Sequence, residues 1–234
     1  MTFPVRTHAF SARSSTKESL QLLRREMPYL LWIPLYLLFF ALLEARPSSG
    51  TYWSTQLPAD RYIPFCAWFV IPYCTWYFQM ILTGTYILRR DVPAFRRYMV
   101  FLALTFLSSE VLWTFFPNGQ DLRPASPEGF LAPLVTLLYS IDTNTNVLPS
   151  LHVTGSIGAA FAMCDAAWKS NRRLCLMEIF LTVLISLSTV FIKQHSILDV
   201  AAAILFSAAA GLPVYHSTLH NRHTEMVLAL PSTE

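Results

Sequence analysis

Apolar positions along the chain gather into long runs separated by short polar islands. Runs at roughly 27–43, 62–88, 98–116, 150–168, 174–193 and 196–216 reach or approach the ~20 residues that cross a bilayer as a helix. A seventh run, Leu131 to Ser140, has only about ten residues and predicts a re-entrant or interfacial helix. The first run follows a basic polar segment and lacks a small-x-small cleavage pattern, so it reads as a retained span and not as a signal peptide. Ser15 and Glu18 have capping-box spacing and predict a short surface helix before it. Glycine is scarce, so the turns rest on Pro, Asn, Asp and Ser. No internal repeat is visible.

Composition agrees with this pattern. The 234 residues are 54% hydrophobic and 13% charged, with a mean hydropathy of +0.43, whereas soluble domains carry about 25% charge. The expectation is an all-α fold: a six-transmembrane helical bundle over 27–216, with the short helix on its outer side. Polar segments 1–26 and 217–234 flank the bundle. Charge sets the orientation. One side of a six-span arrangement holds Arg6, Arg13, Lys17, Arg24 and Arg25, then Arg89, Arg90, Arg96 and Arg97, then Lys169, Arg172 and Arg173, and finally Arg222. The other side holds Arg46, Arg61, Arg123 and Lys193. Both termini are therefore expected in the cytoplasm of a cell whose cytoplasmic membrane the chain crosses; short loops point to a bacterium. No basic patch interleaved with aromatics exists, which argues against a nucleic-acid partner. Cys66, Cys74, Cys164 and Cys175 lie in or beside apolar runs without a CxxC pair and read as buried thiols, not as a disulfide or metal site.

Three polar islands remain on the outer side. They are Pro117–Pro124, Asp142–His152 and Lys193–Asp199. His152 and His195 are separated by one helical hairpin, which returns the chain to the same face, and the segment between Arg123 and Ser150 is too short to cross. All three islands should meet at the outer interface. Taken singly, a helix-end His, an Arg-Pro loop or a snorkelling Lys is ordinary. Together their residue types suit phosphoryl transfer. His195 and Asp199 stand i, i+4, so the carboxylate can hold one ring nitrogen and leave the other as nucleophile. His152 can protonate a leaving oxygen. Arg123 offers a donor fork for phosphate and Lys193 a point charge, and the helix start at Ser150 adds an anion site.

Arg123-Pro124, Pro149-Ser150-Leu151-His152, and Ser188 followed by His195 and Asp199 resemble, in order and spacing, the motifs of the type 2 phosphatidic acid phosphatase superfamily. That superfamily includes lipid phosphatases, lipid phosphotransferases and vanadium haloperoxidases. The likeness spans about 95–215. It departs from the family at Phe116, in place of a Lys, and at Thr189, in place of an Arg. Leu151 in place of Gly is similar to the branch containing sphingolipid-synthase-like proteins. Lys193, Gln120 and Gln194 are the candidates to replace the missing donors. The resemblance implies His195 as a nucleophile forming a phospho-histidine, Asp199 as its orienting partner, and His152 as general acid. It implies Arg123, Lys193 and Ser150 as phosphate ligands, and neither metal nor cofactor.

The function expected is hydrolysis of a phospholipid or isoprenoid (di)phosphate at the outer face. The alternatives are phospho-headgroup transfer between lipids, or a non-catalytic or transport protein on the same fold. Other polar positions within the runs have structural readings. Glu110, beside Ser108 and Ser109, reads as hydrogen-bonded between helices or protonated. Asp165 and Glu178 lie near the cytoplasmic ends, within reach of water or of Arg172 and Arg173. Tyr52, Trp53, Tyr62, Trp68, Tyr73, Trp76 and Tyr77 read as an interfacial belt and helix packing, with a lipid entry path as the alternative.

Overall fold

A computed structural model describes residues 16–45 and 52–228, with side chains over 20–45 and 52–216. Arg6, Arg13, Arg46, the Ser15 half of the capping box, the Arg222 side chain and residues 229–234 lie outside the described parts. The chain is mostly helical. Its helices are α1 (Thr16–Glu26), α2 (Trp32–Glu44), α3 (Val70–Arg90), α4 (Val92–Phe115), α5 (Ala132–Ile141), α6 (Leu151–Ala167), α7 (Arg172–Phe191) and α8 (Ile197–Leu228).

Each apolar run becomes a helix, and prolines and caps set the limits. Pro28 opens a 3-10 turn, Met27–Leu30, and the segment Leu20–Leu30 meets α2 at 45°. The second run stays out of α-helix until Val70. Its start is taken by 3-10 turns at Pro58–Tyr62 and Ala67–Phe69, with Pro64 between them. Asp91 accepts the Ala94 N–H at 2.9 Å and caps α4, and Asn171 caps α7 in the same way. By length and composition, α4, α7 and the Ile197–His216 part of α8 can cross a membrane, and the bent N-terminal pair makes a fourth if it counts as one span. In α3, Gln79 and five threonine or arginine positions (Thr75, Thr83, Thr85, Arg89 and Arg90) dilute the apolar run. With 17 residues, α6 is ~25 Å long, just under the hydrocarbon thickness. Outward faces carry Phe78, Ile81, Met177, Phe180 and Leu205, all exposed, a surface suited to hydrocarbon and not to water.

The centre of the bundle is α6, which packs against α3, α4, α7 and α8. Small residues let its neighbours approach. A Cβ on Gly155 would lie 2.9 Å from Trp76 Nε1, so glycine there admits the indole against the helix. One turn further into the bundle, a buried polar layer links three helices. Gln79 Nε2 donates to Glu178 Oε1 at 2.8 Å, Thr83 Oγ1 donates to the same oxygen at 3.2 Å, and Ser156 Oγ donates to Gln79 Oε1 at 2.8 Å. This corrects the reading of Glu178: it turns inward to α3 donors instead of reaching Arg172 or Arg173. Asp165 pairs with Arg97 across the bundle at 2.6 Å. Tyr73 and Trp76 are core residues, not part of a belt. Of the four cysteines, Cys175 is buried and the others are half-buried.

Candidate active site

Backbone pairing first gathers the polar islands. Strand β1 (Trp53–Ser54) runs parallel to β2 (Asn118–Gly119), and Gly119 forms a further bridge with Thr145. A Cβ on Gly119 would sit 2.9 Å from both the Asn144 carbonyl and the Tyr52 ring, so the close approach needs glycine. Asn118 Oδ1 accepts the N–H groups of Val147 and Leu148 at 2.9 and 2.8 Å. Trp113 Nε1 donates to the Leu148 carbonyl at 2.7 Å. The cis Leu148–Pro149 step is thereby fixed, and α6 starts with Ser150 as its N-cap.

Opposite Ser150, the chain leaves α7 and turns into α8. Lys193 takes a left-handed conformation, φ 58°, and the N–H groups of Gln194 and His195 both donate to the Thr189 carbonyl. Asp199 forms a reciprocal cap with Ser196: the Ser196 N–H donates to Asp199 Oδ2 at 2.7 Å, and the Asp199 N–H donates to Ser196 Oγ at 3.2 Å. The same Oδ2 lies 3.5 Å from His195 Nδ1, longer than a full hydrogen bond. Across the turn, the Ser150 N–H donates to the Asp199 carbonyl at 3.3 Å. His152 and His195 face each other with ring centres 6.4 Å apart. Four atoms in this corner are buried without a hydrogen-bond partner: Ser150 Oγ, His152 Nε2, His195 Nδ1 and Asp199 Oδ1. Buried polar atoms are rarely left unmatched, so such a cluster marks a place where a ligand or water belongs.

The cations behave differently from the sequence expectation. Arg123 stacks its guanidinium 4.4 Å from the Tyr139 ring centre, and its Nη atoms donate to the carbonyls of Tyr139, Asp142 and Thr143 at 3.3, 2.7 and 2.6 Å. It closes the open carbonyl end of α5. Lys193 Nζ donates to the carbonyls of Asp60 and Ile63 at 3.0 and 2.5 Å. Burial pushes both groups below their usual pKa ranges, opposed by Asp142 beside the arginine and by Asp60 beside the lysine. Gln120 donates to the carbonyls of Lys193 and Gln194 and accepts the Leu122 N–H, so its amide is spent on joining two islands. Gln194 Nε2 donates to Asp142 Oδ2 at 2.7 Å, leaving its oxygen unpartnered. Arg123, Lys193, Gln120 and Gln194, expected as phosphate ligands, thus spend most of their donors on the loops, while Arg123 Nε and Gln194 Oε1 stay unpartnered. At the positions that depart from the family, Phe116 is exposed and the Thr189 hydroxyl donates to the Ser186 carbonyl.

Two contributions were missed in the sequence. Asp60 is buried, with Oδ1 on the Ile197 N–H at 2.8 Å and Oδ2 on the Leu57 N–H at 2.7 Å, so it anchors the start of α8. Proline followed by Asp in a first turn is a helix-start signal that could have marked it. Three aromatic rings also enclose His152: Tyr73 stacks at 4.0 Å, Trp76 lies at 4.3 Å and Tyr77 meets it edge-on at 6.1 Å. Only the spacing of 73, 76 and 77 on one helical face hinted at this. Among the described residues, no three His, Cys, Asp or Glu side chains form a group able to hold a metal ion. Neither protein-family models nor curated proteins give a match to this chain.

Proposed function

We propose that the chain is a six-span membrane protein with α5 lying at the outer interface, and that it hydrolyses a lipid phosphate there through a phospho-histidine. The observation that carries this reading is the corner where Ser150, His152, His195 and Asp199 meet with four buried, unpartnered polar atoms. A nucleophile, an acid and an anion-binding helix start within one small space form the minimum set for phosphoryl transfer.

His195 attacks phosphorus through Nε2, while Asp199 orients the ring from the Nδ1 side. The phosphorus–oxygen ester bond breaks, its electron pair stays on the lipid oxygen, and His152 supplies the proton. Water then attacks phosphorus and gives a proton to His152. The phosphorus–nitrogen bond breaks, its pair returns to His195, and inorganic phosphate leaves; a diphosphate substrate would leave as lipid monophosphate in the first step. The free N–H groups at the start of α6 and the Ser150 hydroxyl hold the phosphate oxygens. Arg123 and Lys193 act one step removed, by fixing the loops that frame the corner.

The test is phosphate release by purified protein in detergent from phosphatidic acid, phosphatidylglycerol phosphate and undecaprenyl diphosphate. Release that resists a chelator and is lost in His195→Ala supports the reading. Headgroup transfer to an added lipid alcohol, without release, would replace hydrolysis by transfer. A second reading, a binding or transport protein on this fold, draws on the carbonyl-bound state of both cations. Absence of release and transfer across the panel would favour it.

A further inference from the structure

A cleft of about 500 Å³ lies between α2, α3 and α4, within the size range of small-ligand sites. One wall is a single face of α3: Trp76, Met80, Gly84 and Leu88 follow each other at four-residue steps and cover ~18 Å. Ile33 of α2 and Met99 of α4 stand among the residues of the other walls. No charged side chain lines the cleft, so a polar occupant would lose its hydration without replacement. Trp76 and Tyr77 line the cleft, and these are two of the rings packed on His152. A charge-free trough therefore reaches to within one ring of the unpartnered polar corner, and turning the Trp76 or Tyr77 side chain would join the two into the complement of an amphiphile with one extended tail.

We infer that this cleft seats one hydrocarbon chain, acyl or prenyl, of the lipid phosphate and selects its length; this rests on His152 and His195 being the reacting pair. The phosphate lies beside His152, and the chain runs from Trp76 along α3 toward Leu88. Length selection follows from the shape, because the trough is bounded by Leu23 and Leu30 near its far end.

The experiment measures binding without turnover. Purified protein in detergent is photolabelled with n-alkyl phosphonates, which resist hydrolysis, carrying a diazirine near the chain end and spanning short to long chains. Matching n-alkanols run beside them. Labels should fall on α2 and α3 around Ile33 and Met80. Thr85 is exposed, lines the cleft and lies nine residues, ~13 Å, beyond Trp76 on α3. Thr85→Trp should lower affinity for the long phosphonate about tenfold relative to the short one. Ile33→Trp, entering from the opposite wall, should do the same if the first variant folds poorly. Alkanols labelling the cleft as well as phosphonates do would keep the chain seat and count against a phosphate site at His152. Labels spread over the outward faces of α7 and α8, or a long-to-short ratio unmoved by both variants, would overturn the chain seat even if phosphate is released from substrates.

Discussion

The end of the bundle where the polar islands meet holds two kinds of polar residue: Lys193 stands two positions from His195, and Arg123 stands 27 positions from Ser150. Arg123 and Lys193 spend their terminal nitrogens on backbone: five hydrogen bonds tie them to carbonyls of Asp60, Ile63, Tyr139, Asp142 and Thr143, although Arg123 Nε keeps no partner. Ser150, His152, His195 and Asp199 are held in place by backbone and rings but keep unpartnered atoms. The difference separates side chains spent on the framework from side chains with polar atoms left over. A cation whose terminal nitrogens are bound to carbonyls stabilises the loop it binds, whereas an orphaned buried atom costs stability and persists where something else will meet it.

The sharpest way to break this comparison is His195→Ala. It should reduce turnover by at least about a thousandfold while leaving the unfolding midpoint nearly unchanged, as read by phosphate release and thermal unfolding. A large loss of stability in that variant would put His195 with the framework. Lys193→Ala should do the reverse. Two carbonyls, one buried and one half-buried, lose a charged donor, so stability falls by about 2–3 kcal/mol, and KM for the same substrate stays within about threefold. A KM rise of a hundredfold at unchanged stability would return the lysine to the phosphate. Gly155→Ala tests the enclosure around His152. Its methyl would meet Trp76 Nε1 at 2.9 Å, costing about 1–3 kcal/mol and lowering turnover as the indole is pushed toward the histidine. The smallest effect is expected at Tyr139, whose hydroxyl donates to the Ile192 carbonyl beside the Lys193 turn. Burial raises its pKa to about 12. The unfolded chain loses this proton first, so the contribution is complete below the ordinary tyrosine value of 10.0 and fades as pH climbs toward about 12. Tyr139→Phe should be less stable by about 1 kcal/mol at neutral pH, and the gap to the parent should narrow over that alkaline window in unfolding curves.

Much of the architecture was legible from one dimension. Apolar runs gave seven of the helices, because helix length and hydrophobic length are set by the same residues. The turn at Lys193–Ser196 and the start of α6 at Ser150 followed from polar islands between runs. Less legible was how the islands use their donors. Arg123 reads identically whether it faces a phosphate or the carbonyl end of α5, since its fork suits both. Glu178 was placed near water, but its helix rotation turns it to Gln79 and Thr83. Asp60 lay in an unremarked loop until folding carried it 137 residues along the chain to the Ile197 N–H.

By itself, the sequence determined a mostly helical chain of long apolar runs with polar islands at the helix ends. Periodicity, run length and proline position are local, and they fix elements without knowledge of the partners. Tertiary structure alone decided which polar groups were consumed and which were left open. Hydrogen-bond capacity is shared between segments far apart in sequence, and only their packing together determines whose donors meet whose acceptors.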